Sequence, residues 1–156
     1  MRRINIIHAG NVKEDYFKQA LREYTKRLSA DFIIEHTEIK EDRGLNLEKE
    51  ADKIFEKLKK LEKSDKAVFK IVLDREGTQL SSEKFAGLLY SGRAIHAQCT
   101  VFIIGSSHGL SGRVKESADF RLSFSDMTFP HSLFRVMLME QIYRAYMIDR
   151  GRAYHK

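Results

Sequence analysis

Apolar positions along the chain switch repeatedly between a two-residue and a 3.6-residue period, the signatures of strands and helices. Ile4, Ile6 and Ile7 mark a first strand. Asn11, with Glu14 three residues on, has the spacing of a helix cap, and Tyr16, Phe17, Ala20, Leu21, Tyr24 and Leu28 then share one helical face. Phe32 to Ile39 forms a second strand and EDRGLN a polar turn. Leu47, Ala51, Ile54, Phe55, Leu58 and Leu61 trace an amphipathic helix whose other face, rich in lysine and glutamate, reads as a solvated surface. AVFKIVLD is a third strand, REGTQLS the loop after it, and 82–90 a short helix. CTVFIIG is the most apolar strand, expected at the centre and buried on both faces. A short helix near 111–117 precedes an alternating last strand at Phe120, Leu122 and Phe124. Pro130 then opens a long final helix to about Arg150. Strands alternating with helices predict an α/β fold, a mostly parallel sheet with helices on both faces. No repeat or linker interrupts the pattern, so a single domain over 1–156 is expected.

In such sheets ligands sit beyond the carboxyl ends of the strands. Three loops leave those ends: LDREG, GSSHGLSG and FSDMTFPH. The second holds G-x-S-x-G at Gly105, Ser107 and Gly109, after a strand and before a helix, the setting of a hydrolase nucleophile elbow. Asp126 or Asp149 and His131 or His155 follow in the right order, but the HGGG-type oxyanion sequence is missing and the chain is short for that fold. The plainer use of these glycines is to let backbone amides approach a ligand, or simply to make a tight turn. In the third loop Phe124 and Phe129 are candidate walls for a flat ligand such as a purine, or plugs at the bottom of the core.

Charge adds a direction. Lys and Arg number 28 against 22 Asp and Glu. Residues 79–156 hold 10 basic and 6 acidic groups, and from His131 onward Arg135, Arg144, Arg150, Arg152 and Lys156 face only Glu140 and Asp149. A basic end favours phosphate-rich partners, or merely solubility. Arg135 stands alone in the apolar run 133–139 and needs an anion, an internal salt bridge or several carbonyl acceptors. Glu140 and Arg144, four apart, can pair with each other. The final helix is apolar over more surface than one small sheet covers, which suggests a dimer interface. Scattered histidines and the absence of H-E-x-x-H or C-x-x-C predict no metal. One cysteine, no secretory apolar run and no membrane-spanning run predict a reducing, cytoplasmic setting without membrane attachment.

FIIGSSHGL, LSFSDMTFPH, the set Arg135, Val136, Glu140, Gln141, Tyr143, Arg144 and Ala145, and the terminal AYHK occur in one order. Through them the chain resembles, over its full length, the bacterial 23S rRNA (pseudouridine-N3)-methyltransferases of the SPOUT superfamily. The resemblance implies a C-terminal trefoil knot, which periodicity alone never justifies. It implies S-adenosylmethionine (SAM) held by Leu73, Gly105 and the run Phe124, Ser125, Asp126, Met127, Thr128 and Phe129. It implies a homodimer acting on 23S rRNA, with the assembled ribosome as the expected substrate. The chain departs from the family at Ser106, where a second glycine is usual. The tail of one subunit is expected over a cofactor pocket, with Arg150, Arg152 and Lys156 on phosphate, Tyr154 stacked on a base and His155 at the target base. Arg135 and Arg144 join the candidate RNA contacts. His155, Tyr154 and His131 are the candidate catalytic residues, the histidines as bases for the N3 proton. The competing readings are a non-enzymatic ribosome-binding or assembly factor and a serine hydrolase using Ser107.

Overall fold

The computed structural model describes residues 1–65, 67–152 and 154. Its elements run β1 (Arg2–Ala9), α1 (Asp15–Leu28), β2 (Phe32–Ile39), α2 (Leu47–Ser64), β3 (Val68–Gln79), α3 (Ser82–Tyr90), α4 (Gly92–Ile95), β4 (Cys99–Ile104), α5 (Gly112–Glu116), β5 (Phe120–Ser123) and α6 (His131–Asp149). The strands form one sheet in the order β2-β1-β4-β3-β5, with every pairing parallel. β4 lies at the centre with all six residues buried, as its unbroken apolar run requires.

Alternation along the strands divides the core in two. Ile4 and Ile6 of β1 and Phe102 and Ile104 of β4 pack with α1, α3 and α6. Ile7, Cys99, Val101 and Ile103 point the other way and pack with Ala51, Ile54 and Leu58 of α2 and Val114 of α5. Helices therefore cover both faces. The Cys99 thiol is fully buried, and burial pushes its pKa up to about 12.

Three local expectations are corrected. Asn11 does not cap α1; the cap position is Glu14, without a side-chain bond, because 11–14 stay outside the helix after the turn at Gly10 (φ +71°). The stretch 75–79 is not a loop: β3 runs on to Gln79, and its pairing with β5 shifts register between Leu73 and Thr78. Such an irregularity bends a strand and re-aims its side chains. Gly77 permits it, since a Cβ there would lie 2.7 Å from the Arg121 carbonyl. The four-residue α4 carries no apolar periodicity and was not foreseen.

Candidate functional site

The loops after β3, β4 and β5 converge on a cleft of about 190 Å³. Leu73, Gly105, Phe124, Ser125, Met127, Thr128 and Phe129 all line it, so seven of the eight expected cofactor residues meet there. Asp126 does not; its carboxylate accepts from Gln79 Nε2 at 3.3 Å. Gly105 is required by closeness: a Cβ would sit 2.2 Å from the Gly109 carbonyl oxygen. The Gly109 amide donates to the Ser106 carbonyl at 2.9 Å, which closes the turn, and Ser106 itself is buried at the cleft wall. In the third loop the Met127 amide donates to Ser125 Oγ at 3.1 Å, and the Met127 side chain stands exposed. The expected pair of aromatic walls is a cluster of three. Phe134 of α6 lies 4.9 Å from Phe124 and 6.1 Å from Phe129, centroid to centroid.

A charged network that the sequence did not disclose braces the cleft. Asp74, at the carboxyl end of β3, accepts from Arg121 Nε at 3.0 Å and pairs with Lys115 at 3.2 Å. Burial opposes ionisation of Asp74, but those two cations and the Glu76 amide outweigh it and hold the carboxyl below its ordinary pKa. β3, α5 and β5 are tied together where their loops leave the sheet.

His131, the first residue of α6, also lines the cleft. Burial lowers its pKa, Arg135 lowers it further and Glu41 opposes, so the ring is neutral at pH 7. Arg135 is 3% exposed, and among the described residues it forms no internal salt bridge. It lies against His8 of β1 instead, and its Nη2 donates to the Gly10 carbonyl at 3.3 Å. His8 shares a strand face with Ile4 and Ile6; only that parity in the sequence could have pointed to it.

The remaining described candidates lie farther along α6 or beyond its end at Asp149. Arg144 pairs with Glu140 at 2.7 Å, as their spacing suggested. Arg150 pairs with Asp31 at 3.0 Å, and Arg152 is exposed. Tyr154 stands edge-on to Tyr143 at 4.9 Å and under the Arg144 guanidinium at 5.0 Å. Nine residues separate Glu140, which Tyr154 also approaches, from His131, about 14 Å along the helix. The chain therefore does not bring its own Tyr154 to His131. His155 and Lys156 lie outside the described residues. Ser107 is exposed and bonds its neighbour His108 at 3.0 Å; among the described residues it is not bonded to Asp126, Asp149 or His131, the partners a hydrolase triad would draw on.

A second groove of about 450 Å³ runs between α1, α3 and α6, lined by Tyr24, Leu80, Phe85, Val136, Met137 and Glu140 among others. Among the described residues no three acids, histidines or cysteines are grouped to hold a metal ion, and no helix is long and apolar enough to cross a membrane.

Comparison with known proteins agrees with this geometry. The family model described as "Predicted SPOUT methyltransferase" matches residues 2–155. A protein of Caldicellulosiruptor bescii named ribosomal RNA large subunit methyltransferase H is 50% identical, over 98% of this chain and 99% of its own length. A protein of Clostridium botulinum with the same name is 44% identical over the same shares. Among solved structures, a probable methylase family protein from Haemophilus influenzae superposes with TM-score 0.55 at 9% identity, over 98% of this chain and 70% of that one. A SpoU methyltransferase of Streptomyces viridochromogenes, solved with AdoMet, superposes with TM-score 0.51 at 9% identity, over 92% of this chain and 57% of that one. These two likenesses show the fold. The family match and the full-length relatives show more: the chain belongs to the SPOUT methyltransferase family.

Proposed function

We propose that this protein transfers a methyl group from SAM to N3 of a pseudouridine in 23S rRNA of the large ribosomal subunit, on the assembled ribosome. The observation that carries the reading is the meeting of three strand-end loops in one cleft, in a chain that matches rRNA methyltransferases from end to end. The protein acts as one domain over 1–156, in the cytoplasm, and family membership brings the trefoil knot with it.

The cleft fits SAM. Leu73, Ile104, Leu122, Phe124 and Phe129 give it apolar walls, and the close approach at Gly105 leaves backbone groups, not side chains, at its floor. Bound there, SAM supplies a methyl group on a sulfonium. Apolar walls exclude water from the reacting atoms, and Leu73, Gly105 and the 124–129 loop fix their position. N3 must lose its proton as its electron pair forms the new bond to carbon. His131 is the base the described residues offer: neutral, half-buried and at the cleft wall.

The protein works as a homodimer. Val136, Met137, Tyr143 and Met147 leave α6 apolar where the chain itself does not cover it fully. Because the chain's own Tyr154 sits far from His131, the tail that completes each cleft comes from the partner subunit. There Tyr154 stacks on a base, His155 contacts the target and Arg150, Arg152 and Lys156 meet phosphate. The test is transfer of labelled methyl from SAM to assembled ribosomes lacking the modification, with free 23S rRNA beside them and the product nucleoside identified by mass spectrometry. Label on N3-methylated pseudouridine is expected. Ribosome binding without label would return the protein to the assembly-factor reading, with Ser106 the first residue to change to glycine.

A further inference from the structure

At the carboxyl ends of β1 and β2, beside the donor cleft, a separate cavity of about 330 Å³ opens. His8, His36 and Arg135 line it, with Lys18 and Arg22 of α1 and Glu38 of β2. Its deepest group is Arg135, 3% exposed, whose Nε has no hydrogen-bond partner. Among the described residues no carboxylate forms an ion pair with this guanidinium. A buried charge left so is expensive, and the Gly10 carbonyl and the His8 ring that it reaches are neutral partners that do not cancel its charge. His8 Nδ1 lies 2.8 Å from Arg135 Nη1 and 2.9 Å from the Gly10 carbonyl. A neutral ring that donates from Nδ1 to the carbonyl accepts from the arginine only through Nε2, 3.2 Å from the same Nη1. His36 stands 6.2 Å from His8, ring to ring, at the exposed mouth.

Resting on the methyltransferase reading, we propose that this pocket holds a backbone phosphate of the RNA strand whose target nucleoside enters the cleft. Arg135 supplies planar N–H donors suited to phosphate oxygens. Its position, one turn after His131 on the same helix, sets the two sites about 6 Å apart along α6, so one strand reaches both. Arg22 and Arg135 give the pocket its positive excess, since Lys18 is paired with Asp15 at 3.3 Å and Glu38 opposes them. Phosphate also lets the two imidazoles take up protons. In the free protein burial and then Arg135 hold His8 down to about 4, and the same two causes lower His36. An anion between them reverses the repulsion. Glu38 and Glu41 act on Arg135 from the β2 side, and His131 faces it from the start of α6. Binding therefore tightens as pH falls, by up to about tenfold per pH unit for each proton taken up.

The experiment has two arms on the full chain. In the first, imidazole NMR resonances are followed against pH with and without inorganic phosphate. The His8 pKa should rise toward neutrality when phosphate is present; an unchanged titration overturns the proposal. In the second, methyl transfer to ribosomes is measured for His8→Gln and for His36→Gln, whose exposed ring leaves folding untouched. KM for ribosomes should rise about tenfold for each, with kcat and SAM affinity held, and the salt dependence of binding should shallow by about one unit. A phosphate shift with unchanged KM makes this a free-anion site and overturns the RNA assignment. Absence of methyl transfer in the unsubstituted protein counts against the methyltransferase reading, while the first arm still judges the pocket.

Discussion

Helices α2 and α6 are almost equal in length, 18 and 19 residues, and lie on opposite faces of the sheet. α2 buries Ala51, Ile54 and Leu58 and turns lysine and glutamate outward, with Glu56 and Lys60 paired in solvent at 3.0 Å. α6 buries Leu138, Met139, Ile142 and Ala145, yet its remaining sides carry Phe134, Val136, Met137, Tyr143 and Met147, and the Nε of its most buried charge, Arg135, has no hydrogen-bond partner. A helix with one apolar face is finished by one sheet. One without a polar face is finished only by further surface, and α6 also carries the candidates His131, Arg135 and Arg144.

That contrast can be broken in several ways. The largest effect is expected from removing 154–156: methyl transfer should fall by at least about 100-fold while circular dichroism and SAM affinity hold, because the groups proposed to contact the target are lost. Full activity in the truncated chain would remove the tail from the mechanism. Next is Met137→Asp, a charge set into the groove beside α6, which should shift the mass in solution from dimer toward monomer and take activity with it. A dimer surviving this change would mean that α6 is covered some other way.

A smaller effect concerns the polar end of α6. His8 has a folded-state pKa of about 4 against an ordinary 6.5. Below pH 6.5 the unfolded chain takes up a proton that the folded chain refuses, so stability should drop as pH falls from 6.5 to 4 and the loss should stop there. It amounts to no more than about 3 to 4 kcal/mol. Urea midpoints in phosphate-free buffer should show this dependence, and His8→Gln should flatten it. The smallest effect belongs to α2: Lys59→Ala, on its exposed face, should move stability by less than about 0.5 kcal/mol and leave activity alone.

The same two helices show what a sequence discloses. α2 is legible from periodicity and from Asn46, whose side chain accepts from the Glu48 and Lys49 amides. The central place of β4 followed from its apolar content, and the clustering of the three loops from their place after the carboxyl ends of parallel strands. The cleft joins backbone at Gly105 to apolar walls, and the resemblance marked it through Leu73, Gly105 and the 124–129 run. What it hid were contacts between distant segments. Phe134 joining Phe124 and Phe129, Asp74 held by Lys115 and Arg121, and His8 under Arg135, 127 residues away, depend on strand order and register. The extension of β3 past Asp74 was missed because Arg75, Glu76 and Gly77 have loop composition; β5 imposes the strand.

The sealed place of Cys99 in β4 has a practical consequence for all these experiments. A thiol without solvent contact and with a pKa near 12 offers almost no thiolate to an alkylating reagent. The native chain is thus already a silent background for site-directed labelling. A single cysteine introduced at Tyr154 would carry a fluorophore or spin label alone, and in the proposed homodimer the distance between two such labels would test which subunit each tail serves.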